Sequence, residues 1–192
     1  MKFFTYHKTR CFFVENQKKE ILAIDAGWPC SFFEYCKYLK EEDLHISQVK
    51  YCVLTHTHLD HAGLVSEFLE RGIQVFVTQE QKQELATMER VIAKNTEYSS
   101  YKPINSEKLQ LLSFTTLKEF LTENFQCTVF KMPHHSPDSL VYQLNETDAV
   151  IGDLAPIDQI MKSDVLGNKC WEYLIEKGIK TVYPSHAPIF SL

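Results

Sequence analysis

Residues 56–61 read His-Thr-His-Leu-Asp-His, four side chains able to bind a metal within six positions, directly after the apolar run Tyr51-Cys52-Val53-Leu54-Thr55. Neutral imidazole and carboxylate are the donors of catalytic zinc and iron sites. On a helix His56 and His58 would point to nearly opposite sides, whereas residues two apart in an extended segment share a face. The pair therefore suits one ion at a strand end or in a loop. Asp60 and His61 open an amphipathic stretch, 62–71, in which Leu64, Val65, Phe68 and Leu69 have helical spacing and Gly72 supplies a stop. The cluster is expected on a strand-to-helix turn.

Three more segments place a possible ligand just beyond an apolar run. They are Met132-Pro133-His134-His135-Ser136-Pro137-Asp138-Ser139, Gly152-Asp153, and Pro184-Ser185-His186-Ala187-Pro188. Six of the eight histidines thus fall in such turns, and only His7 and His45, read as surface residues, lie elsewhere. If the preceding runs are strands, their ends converge at one edge.

The elements that must do this positioning can be read from periodicity. Runs 11–14 and 20–25 flank the polar connector Asn16-Gln17-Lys18-Lys19 as a hairpin. Ser31 with Glu34 three residues on has the form of a capping box, and Phe32, Cys36 and Leu39 form the buried stripe of the helix it starts. A strand at 51–55, the helix at 62–71, a strand at 74–78 and a helix at 79–94 follow, the last with Leu85, Met88 and Ile92 on one face. Residues 95–108 carry no period and form the only long loop, of the kind that often binds ligands or acts as a lid. Strands are expected at 109–113, 127–132, 140–144, 149–153 and 181–183, and helices at 116–123 and 168–177, with Trp171, Leu174 and Ile175 as a core stripe. The mixture predicts an α/β fold, two sheets enclosed by helices, in one domain spanning 1–192.

Composition narrows the function classes. The net charge of −5, with acids and bases interspersed, offers no basic stripe for a phosphate backbone, so nucleic acid is disfavoured. Six cysteines without a Cys-x-x-Cys pair fit a reducing, cytoplasmic setting. No apolar run has the length of a membrane span, and Met1-to-Val14 lacks the pattern of a cleaved leader. The expectation is a soluble, unprocessed protein acting on a small molecule.

His-x-His-x-Asp-His, the turn histidine before Ser136, Gly152-Asp153 and the late His186 occur in that order, each after an expected strand. In this the chain resembles the metallo-β-lactamase superfamily, with a glyoxalase II-like metal motif, from Glu20 to the C-terminus. Ala23-Ile24-Asp25-Ala26-Gly27 stands where relatives carry Asp-x-Gly. The resemblance implies an αββα sandwich of two mixed sheets and a dinuclear centre: His56, His58 and His135 on one metal, Asp60, His61 and His186 on the other, and Asp153 bridging. Two zinc ions are expected, with iron or manganese as alternatives. A metal-bridging hydroxide would cleave an ester, thioester, lactone or related bond, Asp60 anchoring the second metal and helping to move the proton. An iron-dependent oxidoreductase or dioxygenase on the same fold, and a phosphodiesterase, are the competing functions.

Four points are more local. His134 stands where relatives carry Gly, and Ser136 and Ser139 match the residues after the family ligand, so His135 is the expected ligand and His134 a neighbour of it. Asp25 either orients a ligand histidine or caps a turn, with nothing to choose between them. Trp28, Tyr98, Tyr101 and Lys102 are candidates for a substrate wall, although packing or plain surface is favoured for each. A polar turn of surface histidines is a poor account of 56–61, since metal sites are the main reason to bring these types together.

Overall fold

The computed structural model describes residues 1–192. Its first sheet runs in spatial order β1 (Lys2–Tyr6), β2 (Thr9–Glu15), β3 (Ile21–Ile24), β4 (Val49–Val53), β5 (Gln74–Val77) and β6 (Gln110–Leu111). The β1–β2 and β2–β3 pairs are antiparallel and the rest parallel. The second sheet comprises β7 (Thr128–Lys131), β8 (Leu140–Gln143), β9 (Asp148–Gly152), β10 (Thr181–Pro184) and β11 (Phe190–Ser191), neighbours in that order. Only β9 and β10 pair in parallel. The helices are α1 (Phe32–Glu41), α2 (Leu59–Ala62), α3 (Val65–Glu70), α4 (Gln79–Ile92), α5 (Phe114–Phe125) and α6 (Val165–Glu176).

Alternation along each strand builds the layers. Cys11, Phe13, Ile21, Ala23 and Cys52 face Tyr35, Leu39, Phe68, Leu85 and Met88 of α1, α3 and α4. Their neighbours Phe12, Leu22, Ile24 and Val53 turn the other way and meet Val129, Tyr142 and Val150 of the second sheet. The opposite face of that sheet, with Phe130, Val141, Ala149, Ile151 and Val182, packs on Cys170, Trp171 and Leu174 of α6. The result is the expected αββα sandwich of two mixed sheets. Helix α5 departs from the scheme: Leu117, Leu121 and Phe125 belong to the inter-sheet cluster, so it plugs the gap beside β7. No helix is long and apolar enough to cross a membrane.

Several elements differ from the sequence expectation for identifiable reasons. Strand β1 carries no turn signal ahead of β2, because its hairpin turn uses positive φ at His7 (48°) and Lys8 (68°) in place of Asn-Gly. The helix expected over 62–71 starts only at Val65, after a separate single turn, α2, that ends at Ala62. Gly63 N–H and Leu64 N–H donate to Gly27 O (2.8 Å) and Ala26 O (3.1 Å), fastening the chain to the turn after β3. Ser31 makes no capping bond; its Oγ donates to Trp28 O at 2.6 Å, and Glu34 pairs instead with His7 at 2.8 Å. Tyr35 and Leu39 are the buried residues of α1, and Ile175 of α6 is exposed.

The 95–108 loop is largely tied down. Asn95 and Asn105 each cap a short 3-10 turn, and Glu89 accepts from Tyr101 Oη (3.3 Å) and Ile104 N (2.7 Å).

Candidate metal centre

Four strand ends deliver the site. Beyond β4 the backbone is pinned before the first histidine is reached: Leu54 O accepts from Gln81 Nε2 and Tyr142 Oη, both at 2.8 Å, and Thr55 O accepts from Leu140 N at 2.7 Å. These bonds join α4 and β8 to the end of β4. Arg10 N donates to Ser185 O at 3.0 Å and sews the two sheets together beside His186. At the end of β9, Gly152 has φ +56°, and a Cβ there would lie 2.8 Å from Thr55 Cβ. Only glycine allows that approach, which sets Asp153 against His56.

Two groups of donor atoms converge. His58 Nδ1 lies 3.0 Å from both His56 Nε2 and His135 Nε2, and Asp153 Oδ2 lies 3.7 Å from His56 Nε2 and 3.5 Å from His135 Nε2. In the second group Asp60 Oδ2 lies 2.9 Å from His186 Nε2 and 3.3 Å from His61 Nε2. Asp153 touches this group as well, with Oδ1 3.4 Å from His61 Nε2 and Oδ2 3.3 Å from His186 Nε2. All seven expected residues therefore meet, in the two sets anticipated, with Asp153 between them.

The donors fit metal ions better than they fit one another. A metal–nitrogen bond of about 2.1 Å places tetrahedral neighbours roughly 3.3–3.5 Å apart, close to the spacings found here. His61 Nε2 and Asp153 Oδ1 are buried without any hydrogen-bond partner, an arrangement that costs free energy unless an acceptor of lone pairs sits among them.

Residues behind the donors fix which nitrogen faces inward. His61 Nδ1 donates to Asp25 Oδ2 at 2.9 Å and His186 Nδ1 donates to Lys8 O at 2.8 Å, leaving each Nε2 lone pair to the centre. Thr55 Oγ1 donates to Asp25 at 2.9 Å and accepts from His56 Nδ1 at 3.1 Å. Asp25 is thus the orienting residue of the two alternatives, fully buried and held at φ +73° by the bonds it makes. Asp60 Oδ2 also accepts from Thr9 Oγ1 (3.1 Å), which in turn accepts from Trp28 Nε1 (2.9 Å). Thr9 escaped the sequence reading because nothing local marks the first residue of β2 as facing residue 60.

The electrostatics express a demand for positive charge. Burial alone would raise Asp60 and Asp153, but the facing His186 and His61 imidazoles outweigh it and hold both carboxyls well below the usual range. The same bonds to Asp153 and Asp60 push His186 up to about 10. His56, desolvated and beside His61, is pushed down to about 2.

His134 turns away from the centre, its Nε2 2.7 Å from Asp164 Oδ2 at the start of α6. His7 and His45 are exposed and outside the cluster. Two cavities bear on the question of a substrate wall, and only the first is lined by donors. One of about 460 Å³ opens on His58, Asp60 and His135, and one of about 400 Å³ includes His7, Trp28 and Tyr98. Tyr101 and Lys102 line neither; Lys102 pairs with Glu70 at 2.9 Å.

Comparison with known proteins agrees with this architecture. No curated protein matches the chain in sequence. Among solved structures it is similar to TTHA1623 in a di-iron-bound form, at 17% identity and a TM-score of 0.72 over 100% of this chain and 94% of that one. The metallo-beta-lactamase family protein TTHA1429 from Thermus thermophilus gives 16% and 0.69, over 98% and 72% of the two chains. FIM-1 from Pseudomonas aeruginosa, in a mono-zinc form, gives 14% and 0.67, over 99% and 83%. Such identities speak to fold alone. The sequence model of the metallo-beta-lactamase superfamily matches residues 6–186, a span that takes in all seven converging side chains, and the chain belongs to that superfamily.

Proposed function

We propose that the chain is a metal-dependent hydrolase that cleaves an ester, thioester, lactone or related bond in a small molecule. One ion is held by His56, His58 and His135 and the other by Asp60, His61 and His186. The observation that carries this reading is Asp153, whose carboxylate reaches both sets, Oδ1 toward His61 and Oδ2 toward His135. When bound, such a pair of ions lowers the pKa of water between them toward neutrality and polarises the substrate oxygen.

The chain's own residues prepare that chemistry. Asp25 and Lys8 O hold the His61 and His186 rings by their outer nitrogens, so neither ring can turn as substrate enters. Asp60 keeps a fixed orientation through Thr9, so its carboxylate is placed to anchor the second metal and to help move the proton from incoming water to the leaving group. His58, Asp60 and His135 line the 460 Å³ cavity, which gives a small substrate its approach. The free state of all six cysteines supports a reducing, cytoplasmic setting.

Zinc is the proposed metal. Iron is the one competing reading with an observation behind it, since TTHA1623 was solved in a di-iron-bound form. Elemental analysis of protein made with zinc, iron and manganese available, followed by assay on esters, thioesters, lactones and phosphodiesters, tests the proposal. Two equivalents of metal with turnover of an ester, thioester or lactone is expected, and turnover of phosphodiesters alone favours the competing phosphodiesterase. A fully loaded protein inert toward the whole panel, or oxygen uptake confined to an iron form, overturns it.

A further inference from the structure

The cavity beside His58, Asp60 and His135 has a distinctive far wall. Met88 and Val91 of α4 give it apolar surface, Glu84 and Asp138 bring two carboxylates, and no lysine or arginine lines it. Asp138 is the informative member. Its side chain is 3% exposed, and Oδ1 accepts from Ser136 Oγ at 2.7 Å, while Oδ2 is buried with no partner at all. A buried carboxylate oxygen without a donor is strongly disfavoured unless positive charge lies nearby. Glu84 forms no ion pair either, and Lys131 is taken by Glu80 at 2.7 Å, one turn earlier on α4. The 400 Å³ cavity, by contrast, has Lys8 as well as Glu97 in its lining.

We propose that the 460 Å³ cavity selects a cationic alkyl group, and that the substrates are esters or thioesters of an amino alcohol or amino thiol. The ammonium group lies toward Glu84, with the buried Asp138 charge behind the wall, its carbon chain lies against Met88 and Val91, and the acyl carbon is presented at the candidate metal centre. Water adds its oxygen to that carbon and the C–S or C–O bond breaks. The thiol or alcohol leaves with a proton from the water, and a carboxylic acid remains. The bond cleaved rests on the hydrolase reading, whereas the charge preference of the cavity does not.

Two measurements keep these claims apart. Methyl NMR of zinc-loaded protein follows Met88 and Val91 during titration with phenyltrimethylammonium, benzyl alcohol or benzoate. The cation is expected to bind at these methyls roughly tenfold more tightly than the alcohol, and Glu84→Gln to cut that ratio to about threefold. Glu84 lies outside the core clusters, so the variant keeps its fold. Benzoate favoured at these methyls, or a ratio untouched by Glu84→Gln, overturns the proposal. In parallel, kcat/KM is compared for acetylthiocholine, S-acetyl-2-mercaptoethanol and 3-(acetylthio)propionate, and is expected to fall in that order. A flat or reversed order also overturns it. If no thioester is cleaved while the NMR preference holds, the assignment of thioester substrates fails and the cation site stands.

Discussion

Thr9→Val asks how firmly the second donor set is held from behind. Thr9 is fully buried; its Oγ1 accepts from Trp28 Nε1 at 2.9 Å and donates to Asp60 Oδ2 at 3.1 Å. Valine keeps the shape and deletes both bonds. Losing a hydrogen bond to a carboxylate costs roughly 1.5–3 kcal/mol, and stranding an indole N–H that can partly reach water adds about 1 kcal/mol. The metal-free variant is expected to lose about 3 kcal/mol, read as a lower urea midpoint at unchanged slope. The ion bound by Asp60, His61 and His186 should bind roughly 10–100-fold more weakly, since outer partners of metal ligands contribute on that scale. The other ion should be affected less than about twofold, its donors lying outside this chain of bonds. Competition against a chromophoric chelator resolves the two affinities. Trp28→Phe is the control, because it preserves the Thr9–Asp60 bond and should cost about 1 kcal/mol of stability without selective loss of metal. Equal weakening of both ions, or a Thr9→Val protein that titrates like the parent, refutes the reasoning.

Three further predictions concern the same centre. His135→Ala should lose one equivalent of bound metal, whereas His134→Ala should keep both and lose about 1 kcal/mol with its Asp164 contact; elemental analysis that reverses the two would reassign the ligand. Asp25→Asn retains a residue that tolerates the left-handed backbone at φ +73° but removes the charge facing His61, so folding should persist while the second ion binds roughly 10–100-fold more weakly. In chelator, His186 has a folded pKa pushed up to about 10 by its bonds to Asp153 and Asp60, against about 6.5 unfolded. A raised pKa gives stability that is fully present below 6.5 and is lost as pH rises through 10. The urea midpoint of metal-free protein should therefore fall between pH 7 and 10, and metal, which needs the imidazole neutral throughout, should flatten that fall. A chelated protein with a flat profile would count against the proposed pairing.

Much of the fold was legible because its strands alternate cleanly and its helices carry apolar stripes. The hairpin at 11–14 and 20–25, the helix at 79–94 with Leu85, Met88 and Ile92 buried, and the strands before each ligand turn all appear. What misled was local pattern without its tertiary context. Ser31 and Glu34 have the form of a capping box, yet the Trp28 carbonyl and His7 compete for the same groups and take them. The apolar spacing of 62–71 suits one helix, but backbone bonds to Ala26 and Gly27 delay its start to Val65. Strand β1 was missed because His7 and Lys8 adopt a turn conformation that their types do not advertise.

The candidate site divides along the same line. Donor identity and order are properties of residue type and spacing along the chain, so the sequence alone determined that His56, His58, Asp60, His61, His135, Asp153 and His186 were the residues to watch. The resemblance supplied the preference for His135 over His134; in the structure His135 lies 3.0 Å from His58 and His134 lies 2.7 Å from Asp164. Only the tertiary structure decided that Asp25 orients His61 rather than capping a turn, that Thr9 holds Asp60, and that Glu84 and Asp138 share a cavity. Each of these joins residues on different elements, and Thr9 meets Asp60 from 51 positions away. Such contacts depend on how the hairpin and helices pack across the sheet edge, and no local periodicity encodes that distance.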